Sequence, residues 1–171
     1  RLVEVILRES RRIVRMDRGV LITETRHGFI CANAGVDASN VAQDDTVALL
    51  PEDPDASAQA IRAKVRDRLG ADVAVVISDS FGRPWREGVA NVAVGVAGML
   101  ALKDYTGQQD PHGYALRVTV MAVADELAAA AELVTGKLDR LPVAIVRGYD
   151  YPKGCGKATD LVREPSKDLF R

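Results

Sequence analysis

Residues 72–86 carry the side chains best suited to chemistry. The short apolar run 73–77, rich in β-branched residues, predicts a strand buried on both faces. Asp79 and Ser80 follow it, and Arg83 and Arg86 lie on either side of Pro84. A carboxylate and a hydroxyl on a rigid strand are hard oxygen ligands for Mg²⁺ or Mn²⁺, and guanidinium groups fit phosphate oxygens. The stretch therefore predicts a metal-phosphate site.

The same residues also fit a structural interpretation. Asp-Ser ahead of Gly and Pro is ordinary turn chemistry, and arginines are usually solvated. From this stretch alone, both interpretations stay open.

A second acidic residue follows a predicted strand at Asp37, with Asn40 three residues later. The pair either shapes a turn through its own backbone or supplies a metal ligand and a nucleotide contact. His27, in the turn between two predicted strands, is interpreted as a turn residue because no triad partner lies near it in the sequence.

A phosphate-binding loop of the P-loop type is excluded. The Gly-Cys-Gly-Lys run at 154–157 has Tyr151 where the pattern needs its first glycine, and Ala158 where it needs Ser or Thr. The pair Gly136-Lys137 fails in the same way.

Composition indicates one globular domain with an ordinary core. The 171 residues are 47% hydrophobic and 27% charged, and the net charge of -1 gives no basic field for nucleic acid or an anionic membrane. Cys31 and Cys155 have no partner spacing for zinc or a disulfide framework, so a reducing compartment, the cytoplasm, is expected.

The elements that must position these side chains alternate along the chain. Apolar periodicity predicts helices over 3–14, 54–69 and 123–134, with a short one near Met99. Strands are predicted at 20–25, 29–34, 47–50, 73–77, 91–96, 116–121 and 142–147, the last buried. Together they predict an α+β fold, a mixed sheet with flanking helices, followed by a mobile polar tail over 149–171.

Five ordered blocks of the sequence resemble the coenzyme F-420 gamma-glutamyl ligase family. They are Ala-Gly-Val-Asp-Ala-Ser-Asn-Val at 34–41, Leu-Pro-Glu-Asp-Pro-Asp-Ala-Ser at 50–57, Ile-Ser-Asp-Ser-Phe-Gly-Arg-Pro-Trp-Arg at 77–86, Val-Ala-Asp-Glu-Leu-Ala-Ala-Ala-Ala at 123–131 and Val-Ala-Ile-Val-Arg-Gly at 143–148. The similarity covers essentially the whole chain.

The resemblance implies a GTP-dependent ligase that adds L-glutamate to the phospholactyl deazaflavin precursor of coenzyme F-420. It implies Mg²⁺ or Mn²⁺, up to two ions, together with K⁺, and a homodimer. Asp37, Asp79 and Ser80 match metal positions, and Asn40 matches a nucleotide contact. Together with the residue chemistry of 72–86, this makes Asp79, Arg83 and Arg86 the candidate catalytic residues. A matching nucleotide-binding segment follows the last helix and comprises Leu133, Val134, Thr135, Gly136, Lys137 and Leu138.

Two departures from the family pattern are expected to matter. Lys137 stands where other members carry an acidic or amide metal ligand. The chain opens at Arg1 without a preceding methionine, and the resemblance places another part of the GTP site upstream, so residues 1–171 alone are expected to fold but to be nearly inactive. A non-catalytic nucleotide- or deazaflavin-binding module and a metal-dependent phosphohydrolase are the alternative functions.

Overall fold

The structure, a computed structural model, describes residues 1–39, 41 and 45–168. Its helices are α1 (Leu2–Glu9), α2 (Pro54–Leu69) and α3 (Val123–Thr135). Its strands are β1 (Ser10–Asp17), β2 (Val20–Thr25), β3 (Ile30–Ala32), β4 (Val75–Arg83), β5 (Arg86–Ala97), β6 (Lys103–Asp104) and β7 (Val120–Met121). The α+β class is confirmed, but the described strands form three small antiparallel sheets, β1-β2-β3, β4-β5 and β6-β7, in place of one mixed sheet.

The predicted helix over 3–14 is wrong beyond Glu9. Ser10 takes an extended conformation, and its hydroxyl donates to the Ile6 carbonyl at 2.6 Å, which closes the helix. The β-branched Ile13 and Val14 then continue into β1, which pairs with β2. The apolar pattern of this stretch fits both the 3.6-residue period of a helix and the two-residue period of a strand, and pairing with β2 decides in favour of the strand.

The second predicted pair of strands forms a longer hairpin than the sequence indicates. β4 continues through Asp79 to Arg83, turns at Pro84 and Trp85, and returns as β5. Asp79 and Ser80 are therefore residues within a strand, opposite Val92 and Asn91, and do not follow its end. The β2-β3 hairpin is confirmed.

Helix α2 begins and ends as predicted and packs closely on β5. Asp53 accepts the Ala56 N–H at 2.9 Å as the N-cap, and Gly70 ends the helix in the left-handed region. A Cβ at Gly95 would collide with the Pro54 carbonyl, so only glycine allows this approach of strand and helix.

Two aspartates in the first turns of α2 and α3 bond the edge of β5. Asp125 accepts the Ala93 N–H at 2.8 Å, and Asp55 accepts the Val96 N–H at 2.8 Å and the Ala158 N–H at 3.1 Å. Burial raises the pKa of Asp125, although the bond from Ala93 opposes this. Asp125 is therefore bonded to the strand and does not lie on a solvated helix face.

The main core lies between the β4-β5 hairpin and the helices. Its buried members are Phe29, Ala93, Val94, Val96, Met99, Ala101, Val123, Ala124 and Ala158. Met99 belongs to an isolated bridge with Lys153, so the short helix predicted there is wrong. Part of the 149–171 segment thus joins the core, while its predicted mobility stays a prediction.

Three predicted strands are reduced or replaced. Residues 47–50 contribute one bridge, from Ala48 to Asp37, and 116–121 contributes the two residues of β7. The run 142–147 forms no strand, and Val143 and Ile145 are 76% and 75% exposed. Among the described residues no strand pairs with this run, which leaves its apolar side chains uncovered. None of the described helices has the length and apolar character needed to cross a membrane.

Replacing Asp55 should destabilise the fold more than its partial exposure indicates. Asp55→Ala leaves two backbone N–H groups without their acceptor, and we expect a loss of about 2–4 kcal/mol in the free energy of unfolding. Urea denaturation measures it. Asp67→Ala, at an exposed site on the same helix, is the control and should change stability by less than about 0.5 kcal/mol. Equal effects would contradict the role of Asp55.

Candidate functional site

Asp79 and Ser80 lie side by side in β4 but point to opposite faces of the hairpin, as consecutive strand residues do. The Asp79 carboxylate accepts the Ser80 backbone N–H at 2.7 Å. Both residues are partly buried. The strand is paired on one side along its length, so it is a rigid support for both side chains.

Asp37 is held by a bridge and by its own turn. Its backbone exchanges hydrogen bonds with Ala48 at 3.1 and 2.7 Å. Its carboxylate accepts the backbone N–H and the hydroxyl of Ser39, each at 2.7 Å. The turn interpretation of Asp37 is therefore correct in geometry, and it leaves lone pairs on both carboxylate oxygens for a further ligand.

The two carboxylates interact electrostatically, together with Lys137. Burial raises the pKa of Asp79, the Ser80 N–H lowers it, the charge of Asp37 raises it and Lys137 lowers it, so the net shift is upward. Burial also raises the pKa of Asp37, but the bonds from Ser39 and the charge of Lys137 outweigh it and the net shift is downward. The structure thus brings Asp37, Asp79 and Lys137 into one neighbourhood.

This neighbourhood fits a hard divalent cation that is completed by other ligands. In the part of the chain that the structure describes, no ion pair within 4.0 Å neutralises Asp37 or Asp79. Nor does any group of three His, Cys, Asp or Glu residues there form a ready-made metal cage. Mg²⁺ is commonly held by one or two carboxylates plus water and substrate phosphates, so the two carboxylates match its needs. The Ser80 hydroxyl, predicted as a third ligand, faces the other side of the hairpin and is bonded to Asn91.

A chain of side-chain hydrogen bonds leads from Ser80 to α3. The Ser80 hydroxyl donates to Asn91 Oδ1 at 2.7 Å, and Asn91 Nδ2 donates to Glu132 Oε2 at 2.9 Å. The sequence pattern predicts neither Asn91 nor Glu132 as a partner of Ser80. The register of β4 against β5, which places Asn91 opposite Ser80, is the feature that connects them.

The two arginines lie at the tip of the hairpin, away from the carboxylates. Arg83 and Arg86 face each other across the turn and are exposed, and the Arg83 guanidinium donates to the Glu87 carbonyl at 2.7 Å. Arg83 lies four positions along the strand from Asp79, a separation of about 13 Å between their backbones. Their catalytic role stays a prediction.

The predicted nucleotide segment begins in the last turn of α3 and is open to solvent. Leu133 and Leu138 are 86% and 81% exposed, and Gly136 ends the helix with φ at 59°. Asn40, the other predicted nucleotide contact, lies outside the described residues.

His27 has a structural role, in agreement with its interpretation as a turn residue. Its Nε2 lies 2.9 Å from the Pro51 carbonyl, and its ring stacks on Phe29 with centroids 5.8 Å apart.

A cavity of about 480 Å³ adjoins the β4-β5 hairpin. It is close to Asp79, because Val92, which pairs with Asp79, is one of its lining residues. Its walls include Phe29, Phe81, Val92, Leu161, Val162 and Arg163.

Comparison with known proteins identifies close relatives. The sequence model of the F420-0:Gamma-glutamyl ligase family matches residues 1–148. A coenzyme F420:L-glutamate ligase from Methanocaldococcus jannaschii is 46% identical over 172 residues, covering 100% of this chain and 68% of the relative. Ligases of the same name from Methanopyrus kandleri and Methanothermobacter thermautotrophicus are 48% and 49% identical, covering 100% and 99% of this chain and 69% and 68% of the relatives.

The two cysteines should differ sharply in reactivity. Burial, aided by the nearby charge of Asp79 and opposed by a backbone hydrogen bond at Gly35, raises the pKa of Cys31 to about 12. At pH 8 only about one Cys31 thiol in ten thousand is ionised, whereas Cys155 is exposed. Iodoacetamide should therefore label Cys155 rapidly and Cys31 only after unfolding. Peptide mass spectrometry measures both rates, with Cys155→Ser as the control, and rapid labelling of Cys31 in the folded chain would contradict its burial.

Proposed function

Because the chain belongs to the F420-0:gamma-glutamyl ligase family, we propose that it joins L-glutamate to the carboxylate of the deazaflavin coenzyme F420 precursor. The new bond is an amide in which the glutamate amine is acylated. GTP drives the reaction and is converted to GDP and phosphate. A divalent cation, Mg²⁺ or Mn²⁺, takes part as one or two ions.

The observation that carries this proposal is the pair of carboxylates, Asp37 and Asp79, held near each other without a neutralising ion pair among the described residues. Such a pair raises the free energy of the empty site, because like charges in a partly buried place repel. A bound cation relieves that repulsion. Asp37 and Asp79 would hold it, and it would supply charge neutralisation for the triphosphate.

The chemistry that must be supported is activation of an unreactive carboxylate. A carboxylate oxygen of the acceptor attacks the γ-phosphorus of GTP, and the bond from that phosphorus to the bridging oxygen breaks to release GDP. The resulting acyl phosphate is attacked at its carbonyl carbon by the glutamate amine, which loses a proton as inorganic phosphate departs. No covalent bond to the protein forms in either step. The protein therefore contributes mainly by aligning the reacting groups and by stabilising the charge of the transition state.

The remaining residues of the site fit supporting roles. Lys137, close enough to both carboxylates to affect their pKa values, supplies a positive charge where the triphosphate would lie. The 133–138 segment and Asn40 would contact the nucleotide. The cavity lined by Phe81 and Val92 offers apolar walls for a planar ring, and Arg163 at its wall offers a charge for an anionic group.

A homodimer is part of the proposal. Val143 and Ile145 present apolar surface that isolated chains rarely leave uncovered, and a second copy would bury part of it. Light scattering of the purified protein distinguishes a dimer from a monomer.

Removing either carboxylate should abolish cation binding and ligation together. Asp37→Asn and Asp79→Asn each remove a charged ligand, and we expect ligation to fall at least about 100-fold relative to the parent protein. Calorimetry with Mn²⁺ and mass spectrometry of the glutamyl product provide the measurements. Asp67→Asn, exposed on α2, is the matched control and should behave like the parent.

The products also separate the alternatives. Phosphate release from GTP without a glutamyl adduct would indicate a phosphohydrolase. Nucleotide binding without turnover would indicate a binding module. Unchanged Mn²⁺ affinity in both carboxylate variants would rule out the metal site.

The arginines allow a more discriminating test. If Arg83 and Arg86 bind phosphate when the substrates are present, Arg83→Lys and Arg86→Lys should raise the KM for GTP about tenfold, since an ammonium does not reproduce a planar fork. If Arg83 only braces the turn through the Glu87 carbonyl, its Lys variant should keep the parental KM and lose some thermal stability. Steady-state kinetics over a range of GTP concentrations, together with thermal unfolding, decides between these outcomes.

A further inference from the structure

The cavity beside the β4-β5 hairpin has a carboxyl group in its wall. Asp125, in the first turn of α3, and Ala93, in β5, both line this cavity of about 480 Å³. Asp125 Oδ1 accepts the Ala93 N–H at 2.8 Å, and Asp125 is partly buried. The bonded pair is therefore part of the cavity wall, with the carboxyl group between the edge of the strand and the open space.

The second carboxyl oxygen of Asp125 is available to a ligand. In residues 1–39, 41 and 45–168, the bond from Ala93 is the one hydrogen bond of this side chain, and no ion pair within 4.0 Å involves it. Burial raises the pKa of Asp125, which shows that holding a charge here is unfavourable. Ala93 needs only one acceptor, which an amide would also supply, so the fold alone gives no use for the second oxygen.

The cavity lies on the same face of the hairpin as Asp79. Phe81 stands two residues after Asp79 in β4, and Val92 pairs with Asp79, so strand alternation places the three side chains on one face. Phe81 and Val92 line the cavity. Phe29 lines it as well and meets Phe81 edge to face, with ring centroids 6.4 Å apart. A flat ring between these walls would therefore lie next to the proposed cation site.

We propose that Asp125 is a specificity-determining residue that recognises the ring of the deazaflavin substrate, with its free carboxylate oxygen accepting a hydrogen bond from the ring N–H. This inference rests on the proposed function, in which the substrate that receives glutamate is a deazaflavin. The pyrimidine end of a deazaflavin carries a single N–H, between two carbonyl groups. Apolar and aromatic walls with one acceptor fit such a ring, because a partly buried acceptor favours the ligand that satisfies it.

Two ligands that differ only at this N–H test the inference on the 171-residue chain. They are 5-deazariboflavin and its N3-methyl derivative, which keeps the ring and lacks the donor. The parent protein should bind 5-deazariboflavin about 10- to 100-fold more tightly than the derivative, the usual effect of a hydrogen bond to a charged group. Fluorescence titration measures both dissociation constants.

Asp125→Asn separates recognition of the ring from support of the fold. The variant keeps an oxygen that accepts the Ala93 N–H and replaces the free oxygen by an NH₂ group, which only donates. It should bind 5-deazariboflavin about 10- to 100-fold more weakly than the parent and no longer distinguish the two ligands. Glu126→Gln, at the exposed next position of α3, removes the same charge and is the matched control, which should bind both ligands like the parent.

Three results would overturn the inference: equal affinity of the parent protein for the two ligands, binding of neither ligand, or parental affinities in Asp125→Asn. If thermal unfolding shows that Asp125→Asn does not fold, the comparison of the two ligands on the parent protein decides alone.

The outcomes also distinguish this inference from the proposed function. A parent protein that forms the glutamyl product, with an unchanged KM for the deazaflavin in Asp125→Asn, would overturn the recognition role alone. Ring binding that depends on both Asp125 and the ring N–H, without a glutamyl product, would support the recognition role and contradict the proposed ligation.

Discussion

The unpaired edge of β5 is the constraint on which the rest of the structure depends. One side of β5 pairs with β4, and the other would leave backbone N–H groups without acceptors next to the core. Asp125 at the start of α3 and Asp55 at the start of α2 accept those of Ala93 and Val96. Both helices therefore begin where a carboxylate can reach the strand, and Asp55 also fastens the chain near Ala158.

The same hairpin distributes the polar side chains of the site. Alternation along β4 sends Asp79 toward the neighbourhood of Asp37 and Cys31, and sends Ser80 toward Asn91 and α3. On the Asp79 side, no ion pair within 4.0 Å neutralises the carboxylates of Asp37 and Asp79 among the described residues, whereas the Ser80 side has a chain of side-chain hydrogen bonds. The Ser80 face of β4 therefore contributes hydrogen bonds to the stability of the fold. The Asp79 face retains carboxylate acceptors, which the proposed function uses to bind a cation.

Sequence reasoning succeeded where local chemistry decides the structure. Asp53, Pro54 and Gly70 mark the ends of α2 through capping geometry that a few adjacent residues determine. It failed where a distant partner decides. The sequence of residues 10–17 is compatible with a helix, but these residues pair with β2 and form a strand. The apolar run 142–147 would be a buried strand only if another strand covered it, and its Val143 and Ile145 are exposed. Asp125 and Glu132 are bonded to Ala93 and Asn91 of β5, and these partners distinguish them from solvated helix residues. The positions of the two residues in the sequence do not reveal such distant partners.

If Asp37 and Asp79 hold a cation, as in the proposed function, the small number of protein ligands has a further physical consequence. A hard divalent cation of the Mg²⁺ type takes about six oxygen ligands, so half or more of its coordination shell must come from water or substrate. Triphosphate oxygens are better ligands than water for such an ion, and the nucleotide in turn needs its charge reduced before it can approach Asp37 and Asp79. In the proposed function, cation and nucleotide affinity would therefore be coupled, and each would strengthen the other by the same factor. In this arrangement the protein contributes too few ligands to hold the cation tightly by itself, and that weakness makes occupancy of the site depend on the nucleotide.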